Sequence, residues 1–266
     1  MISIKLNFGG FVPLSTVDWR GRSVCTVFLR GCPLRCSYCQ NEAIQSGEDY
    51  RDIEDVIDMI KTSAPFISGV MFSGGEPAAQ KDALVALAKS AKEMNLAVGI
   101  QTSGHFFETI RTLINKKLVD KVAIDYKTRW EEPGVWEPDI ALLRQKYQRN
   151  VSKSIEICKN AVKEGILSEF EVVVTLFHEN EKYIKKISDE TTDVPLVLQQ
   201  GEHKIPMMPD NVENMTAYIA KNQRRKQQYT PMTLAEIKKI AENLKRDVRI
   251  RTRDVGEITC NRRFIL

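Results

Sequence analysis

Between about residue 23 and residue 199 the chain repeats one pattern: a short apolar run, a loop, then an amphipathic stretch. The apolar runs lie at about 23–29, 69–73, 96–100, 119–125, 170–175 and 194–199. The stretches between them carry apolar residues at helical spacing, as in Ile53, Val56, Ile57 and Ile60, or Leu84, Leu87, Ala88 and Ala91. Helices are expected from about Asp52 to Ser63, over 81–94 and over 106–116, from Ser152 or Ser154 onward, and briefly over 181–188. Strands alternating with helices through short loops imply a parallel sheet with right-handed crossovers. The predicted fold is therefore α/β, a partial (β/α)6 barrel whose ligands collect at the C-terminal ends of its strands.

Three stretches depart from the repeat. Residues 1–22 read as a short lead-in, because Ile2, Ile4 and Leu6 alternate with polar residues until Gly9-Gly10 breaks the pattern. Residues 127–150 are polar and interrupted by Pro133, Gly134 and Pro138, so they read as irregular. After Pro206 and Pro209, Thr233 with Glu236 three residues later forms a capping-box pattern ahead of Leu234, Ile237, Ile240 and Leu244. Val248-Arg249-Ile250-Arg251 then reads as a strand. The expected division is a core over 1–204 and a C-terminal helix–strand extension over 205–266, packed on the barrel without independence.

Hydrophobic residues form 42% and charged residues 28% of the 266, a composition suited to a globular protein, and the net charge of +4 gives weak support for a nucleic-acid partner. The basic run Lys221–Lys226 reads first as a solvated helix face and second as a site for RNA or an acidic partner. No signal-peptide pattern and no membrane-span-length apolar stretch is visible, so the expected location is the cytoplasm.

Cysteine placement carries the chemistry. Cys32, Cys36 and Cys39 fall within eight residues after the first apolar run, whereas Cys25, Cys158 and Cys260 are scattered. Such spacing is open to zinc, to an iron–sulfur cluster, or to neither. Structural zinc takes four ligands, and no second Cys-x-x-Cys pair exists here. A fully ligated iron–sulfur cluster would draw its fourth cysteine from Cys158 or Cys260. The remaining alternative is a four-iron cluster with three protein ligands and one open iron. Cys25 and Cys158 fall inside a predicted strand and helix and read as small packed groups.

The pattern Cys32-x-x-x-Cys36-x-x-Cys39, with Tyr38 before the last cysteine, resembles the signature of radical S-adenosylmethionine (SAM) enzymes. Gly74-Gly75-Glu76-Pro77, after the second strand, resembles the motif at which that superfamily binds the methionyl amino group. The resemblance implies a [4Fe–4S] cluster on Cys32, Cys36 and Cys39, with SAM chelating the open iron. Reductive cleavage of SAM then yields a 5′-deoxyadenosyl radical that abstracts hydrogen from a substrate. Glu76 would bring an acceptor to the amino group, and Tyr38 would pack near the adenine. Thr102, Ser103, Asp125, Thr175 and Gln199, all at strand ends, would contact cofactor or substrate. For each of these polar residues a loop-stabilising hydrogen bond is an equal expectation, and His105 reads as a helix-start residue.

The segment from Ser15 to Arg22 and the segment from Val27 to Asn41 resemble the start of glycyl-radical enzyme activases. These include the activators of anaerobic ribonucleoside-triphosphate reductase and of pyruvate formate-lyase. Gln40 departs from their common His. The resemblance implies a glycyl-radical enzyme as protein substrate and a reduced flavodoxin or ferredoxin-type electron donor. Direct modification of a nucleoside, RNA or peptide is the alternative activity. A cluster-binding module without SAM turnover is a third reading, which Gly74–Pro77 disfavours.

Overall fold

The computed structural model describes residues 4–36, 38–127, 140–202 and 229–260. Ser37, much of the 127–150 stretch, the 206–209 turn and the Lys221–Lys226 run, all singled out above, lie outside the described residues.

Among the described residues, all six predicted barrel strands are present, as is the strand predicted at 248–251, with three more. In chain order they are β1 (Lys5–Ser15), β2 (Val24–Leu29), β3 (Tyr50–Asp52), β4 (Gly69–Gly74), β5 (Ala97–Thr102) and β6 (Lys121–Asp125). The rest are β7 (Glu169–Leu176), β8 (Leu196–Gln200), β9 (Val248–Thr252) and β10 (Gly256–Cys260). The α-helices are α1 (Ile53–Ser63), α2 (Lys81–Glu93), α3 (Phe107–Asn115), α4 (Ile140–Lys163), α5 (Ile184–Glu190) and α6 (Leu234–Asn243). The chain is α/β with a largely parallel sheet, and the barrel is partial.

Two compact units share these elements. One comprises the chain up to Arg35, Asn41–Tyr126 and the stretch ending at Glu171; the other comprises Cys36–Gln40 and the chain from Val172 onward. In the first unit the strand order is β3-β1-β2-β4-β5-β6. The β2–β4, β4–β5 and β5–β6 pairs are parallel, with Leu29 beside Gly74 and Thr102 beside Ile124. In the second unit β7, β8 and β9 run parallel and β10 closes an antiparallel hairpin on β9.

The first unit's core follows from its apolar runs. Val70, Met71 and Phe72 of β4 are fully or almost fully buried, as are Leu84, Leu87, Ala88 and Ala91, the stripe predicted for α2. Each large side chain buried this way contributes about 1.5–3 kcal/mol. Trp19 is 1% exposed and occupies the space beside Gly99, where a Cβ would collide with its ring. Its indole Nε1 donates to Glu169 at 3.0 Å. Lys121, also buried, reaches Glu171 at 3.4 Å and Glu169 at 3.7 Å, so its charge is paired rather than isolated.

Three expectations are corrected. The lead-in is a strand of eleven residues. Gly9-Gly10 does not end it, because a register shift between Phe8 and Gly10 absorbs the irregularity while pairing with β2 continues. α4 begins at Ile140, ahead of the predicted Ser152 or Ser154, so part of the supposed irregular stretch is helical. Ser154 is no cap: it is buried and donates its Oγ hydrogen to Gly104 O at 2.6 Å. The predicted capping box is present, with Thr233 N donating to Glu236 Oε2 at 2.7 Å and Glu236 N to Thr233 Oγ1 at 3.3 Å.

Candidate active site

Parallel pairing brings the C-terminal ends of β2, β4, β5 and β6 to one edge of the first unit. Cys32 follows β2, Gly74–Pro77 ends and follows β4, Thr102 and Ser103 end and follow β5, and Asp125 ends β6. The second unit places Thr175 opposite Gln199 near the ends of β7 and β8.

The entry to the cysteine loop is held by backbone bonds. Gly31 N donates to Ile44 O at 2.8 Å and Cys32 N to Gln45 O at 3.0 Å. Arg30 donates through Nε to Phe8 O and through Nη1 to Ala43 O, each at 3.0 Å, and Gln80 Nε2 donates to Arg30 O at 2.9 Å. Arg35 Nη1 donates to Cys32 O and to Leu34 O. Arg30 falls in the activase-like segment, but its bonds to Phe8 and Ala43 have no sequence signal, and Gln80 belongs to no motif and bonds partners 50 and 73 residues away.

Gly74-Gly75-Glu76-Pro77 packs directly on that entry. Gly75 N donates to Leu29 O and Glu76 N to Gly31 O, both at 2.8 Å. A Cβ on Gly75 would collide with the Gly31 backbone, and one on Gly74 with Leu29. Gly74 also has φ +124°, which disfavours any side chain. Asn41, at the far end of the loop, donates through Nδ2 to Gly74 O at 3.0 Å.

Glu76 is fully buried and each carboxylate oxygen accepts twice. Oε1 accepts from Thr102 Oγ1 at 2.5 Å and Ala78 N at 3.1 Å; Oε2 accepts from Ser103 N at 2.8 Å and from Ser103 Oγ. A carboxylate has about four lone-pair sites, so these donors use the whole set. Burial pushes the carboxyl above the usual glutamate range, and the bonds from Ser103, Thr102 and Ala78 oppose that rise. Tyr147 OH donates to Ser103 O at 2.9 Å and stacks on His105, so α4 steadies the same corner. His105 precedes α3 by two residues, and burial holds its imidazole pKa below the usual value.

Tyr38 lies against Phe177 and Tyr229, with ring centroids 5.5 and 5.4 Å away, and Lys127 Nζ sits 5.8 Å from its ring centre. Cys39 N donates to Cys36 O at 3.1 Å, closing a turn around Tyr38.

All six cysteines are thiols outside any disulfide. Burial pushes Cys25 up to about 12 and raises Cys158 as well, so both remain neutral packing groups and are poor metal ligands. Among the described residues, no three His, Cys, Asp or Glu side chains converge as a single metal ion would require. A [4Fe–4S] cluster takes one thiolate per iron and asks for no such convergence. Three thiols in one loop, with glycine backbone packed beside its entry, fit that group.

Residues 26–190 match the family model described as the Radical SAM superfamily. The chain belongs to the radical SAM superfamily. It is accordingly an enzyme of radical chemistry whose cofactors are a [4Fe–4S] cluster and SAM. It is 31% identical to a Methanocaldococcus jannaschii protein provisionally named a glycyl-radical enzyme activating enzyme, over 82% of this chain and 93% of that one. It is 32% identical to the pyruvate formate-lyase-activating enzyme of Clostridium pasteurianum, over 38% of this chain and 44% of the relative. A 7-carboxy-7-deazaguanine synthase of Methanocaldococcus jannaschii is 26% identical over 74% of this chain and 84% of its own. Among the described residues, no helix is long and apolar enough to cross a membrane.

Proposed function

We propose that this radical SAM enzyme activates a glycyl-radical enzyme, removing hydrogen from a glycine Cα of that protein partner. The similarity to the activase-named relative, spanning nearly all of that relative, carries the reading. Cys32, Cys36 and Cys39 are proposed as the cluster's protein ligands. When bound, the reduced cluster and SAM together supply a 5′-deoxyadenosyl radical by one-electron cleavage of the sulfonium.

The chain's own residues hold and orient. The backbone of Gly74-Gly75-Glu76-Pro77 is proposed to face the methionyl amino group. Glu76, with its acceptor sites already used by Thr102, Ser103 and Ala78, keeps that turn rigid. Tyr38 offers an aromatic face to the adenine. Thr102, Ser103 and Asp125 are proposed cofactor contacts, and Thr175 and Gln199 contacts to cofactor or substrate. The core over 1–204 would carry these roles with 205–266 as an extension. A flavodoxin or ferredoxin-type protein would deliver the electron, in a reducing compartment such as the cytoplasm.

Mixing the reduced, SAM-loaded enzyme with a candidate glycyl-radical partner should produce a glycyl EPR doublet. No doublet despite SAM cleavage would refute the activase reading. The similarity to a 7-carboxy-7-deazaguanine synthase favours the second reading, a small nucleobase-like substrate modified directly. Consumption of such a substrate without a partner protein would establish it.

A further inference from the structure

The middle of the cysteine loop is held by the C-terminal part of the chain. Cys36–Gln40 group with the unit from Val172 onward, not with Arg35 and Asn41 on either side. Within that unit Tyr38 packs through its ring. Its ring, that of Phe177 and that of Tyr229 form a closed triangle, with the Phe177–Tyr229 centroids 5.1 Å apart. Phe177 is 1% and Tyr229 2% exposed, so the triangle has two rigid, buried corners.

Tyr229 is itself tied down by a short strap. Pro231 forms a β-bridge with Phe177, and His178 N donates to Thr230 O at 3.1 Å. Thr230 N donates to the Glu179 carboxylate, 3.0 Å from each oxygen, and Gln200 Nε2 donates to Met232 O at 2.7 Å. Gly201 N donates to Leu176 O at 2.9 Å, and the Phe177 ring fills the space a Cβ there would need. The strap therefore sits on the ends of β7 and β8 through bonds that leave Tyr229 little freedom.

We propose that Tyr229 is a positioning residue for the cluster: through Tyr38 it fixes Cys36 and Cys39, which lie in the same unit. This rests on the assignment of Cys32, Cys36 and Cys39 as ligands. Groups bonded directly to metal ligands change metal affinity by about 10–100-fold when removed, which sets the upper bound for a ring acting through Tyr38.

The test is the rate at which a chelator strips iron from anaerobically reconstituted protein, followed by loss of iron–sulfur absorbance, with Tm measured alongside. Tyr229→Ala should lose its cluster faster than wild type, by up to about 10–100-fold. Tyr229→Leu, which keeps apolar volume without ring faces, should do the same and stands in if the alanine variant does not fold. Tyr229→Phe should match wild type. Ile237→Ala, a fully buried position of α6, supplies the control for general destabilisation. Wild-type stripping rates in both Tyr229→Ala and Tyr229→Leu would overturn the proposal. So would equally fast stripping in Ile237→Ala at the same fall in Tm. A wild type that takes up no four-iron cluster overturns the ligand assignment as well, which separates the two failures.

Discussion

Replacing Thr102 with Val removes the hydroxyl that Glu76 Oε1 accepts at 2.5 Å and leaves shape nearly unchanged. A hydrogen bond to a buried charged group contributes about 1.5–3 kcal/mol. The same hydroxyl oxygen accepts from Gly104 N at 3.1 Å, so a second group loses its partner. The combined cost is about 3 kcal/mol or more. Thr109→Val is the control, since Thr109 Oγ1 donates to a neutral acceptor, Ala78 O, at 2.9 Å and is also buried. Its loss should cost about 1 kcal/mol. The two should also differ in pH dependence. Burial raises the Glu76 pKa in the folded protein, so the folded state binds more protons than the unfolded one above the unfolded pKa. Stability from this group is fully present below the unfolded pKa and declines as pH rises through the folded one. Losing a donor to the ionised form raises the folded pKa further, so the Thr102→Val penalty should grow with pH. Urea midpoints by circular dichroism, at a series of pH values, measure this directly. Equal, pH-independent penalties for the two variants would refute the idea of Glu76 as an ionised brace.

Gly75→Ala should destabilise by at least about 1–3 kcal/mol and lower iron uptake, because the new Cβ meets the Gly31 backbone; wild-type urea midpoint and iron content would contradict this. Alkylation of the metal-free folded protein should spare Cys25 and Cys158, whose thiols are buried and raised in pKa, and mass spectrometry should find them modified only after denaturation. At α6, the Thr233 bonds hold the Glu236 pKa below its usual value, so their stabilisation is present above the unfolded pKa and lost as pH falls through the folded one. Thr233→Ala should therefore lower Tm at neutral pH, with a difference that shrinks on acidification.

The parallel strands were legible because apolar runs such as Val70-Met71-Phe72 and Val172-Val173-Val174 are buried and have few competing readings. The Thr233–Glu236 cap was legible because its partners are three residues apart. What escaped were features whose cause lies far along the chain. β1 continues through Gly9-Gly10 because β2 pairs with it, a partner that local glycine signals do not reveal. Glu76 stood out as part of a motif, yet its donors Thr102 and Ser103 lie 26 and 27 residues away. The link from Tyr229 to Tyr38 has no pattern in the sequence, since single aromatic residues carry no spacing signal. Motifs thus indicated which residues matter, while the folded chain assigns them different mechanical tasks.

Cys32, Cys36 and Cys39 are proposed to hold the cluster at which SAM is cleaved. The most direct measurement is 5′-deoxyadenosine formed by anaerobically reconstituted, reduced protein given SAM, in wild type and in Cys36→Ala. Wild type should form product, and Cys36→Ala should give neither product nor [4Fe–4S] absorbance. A wild type with an intact cluster and no product, or a Cys36→Ala variant that keeps both, would contradict that proposal.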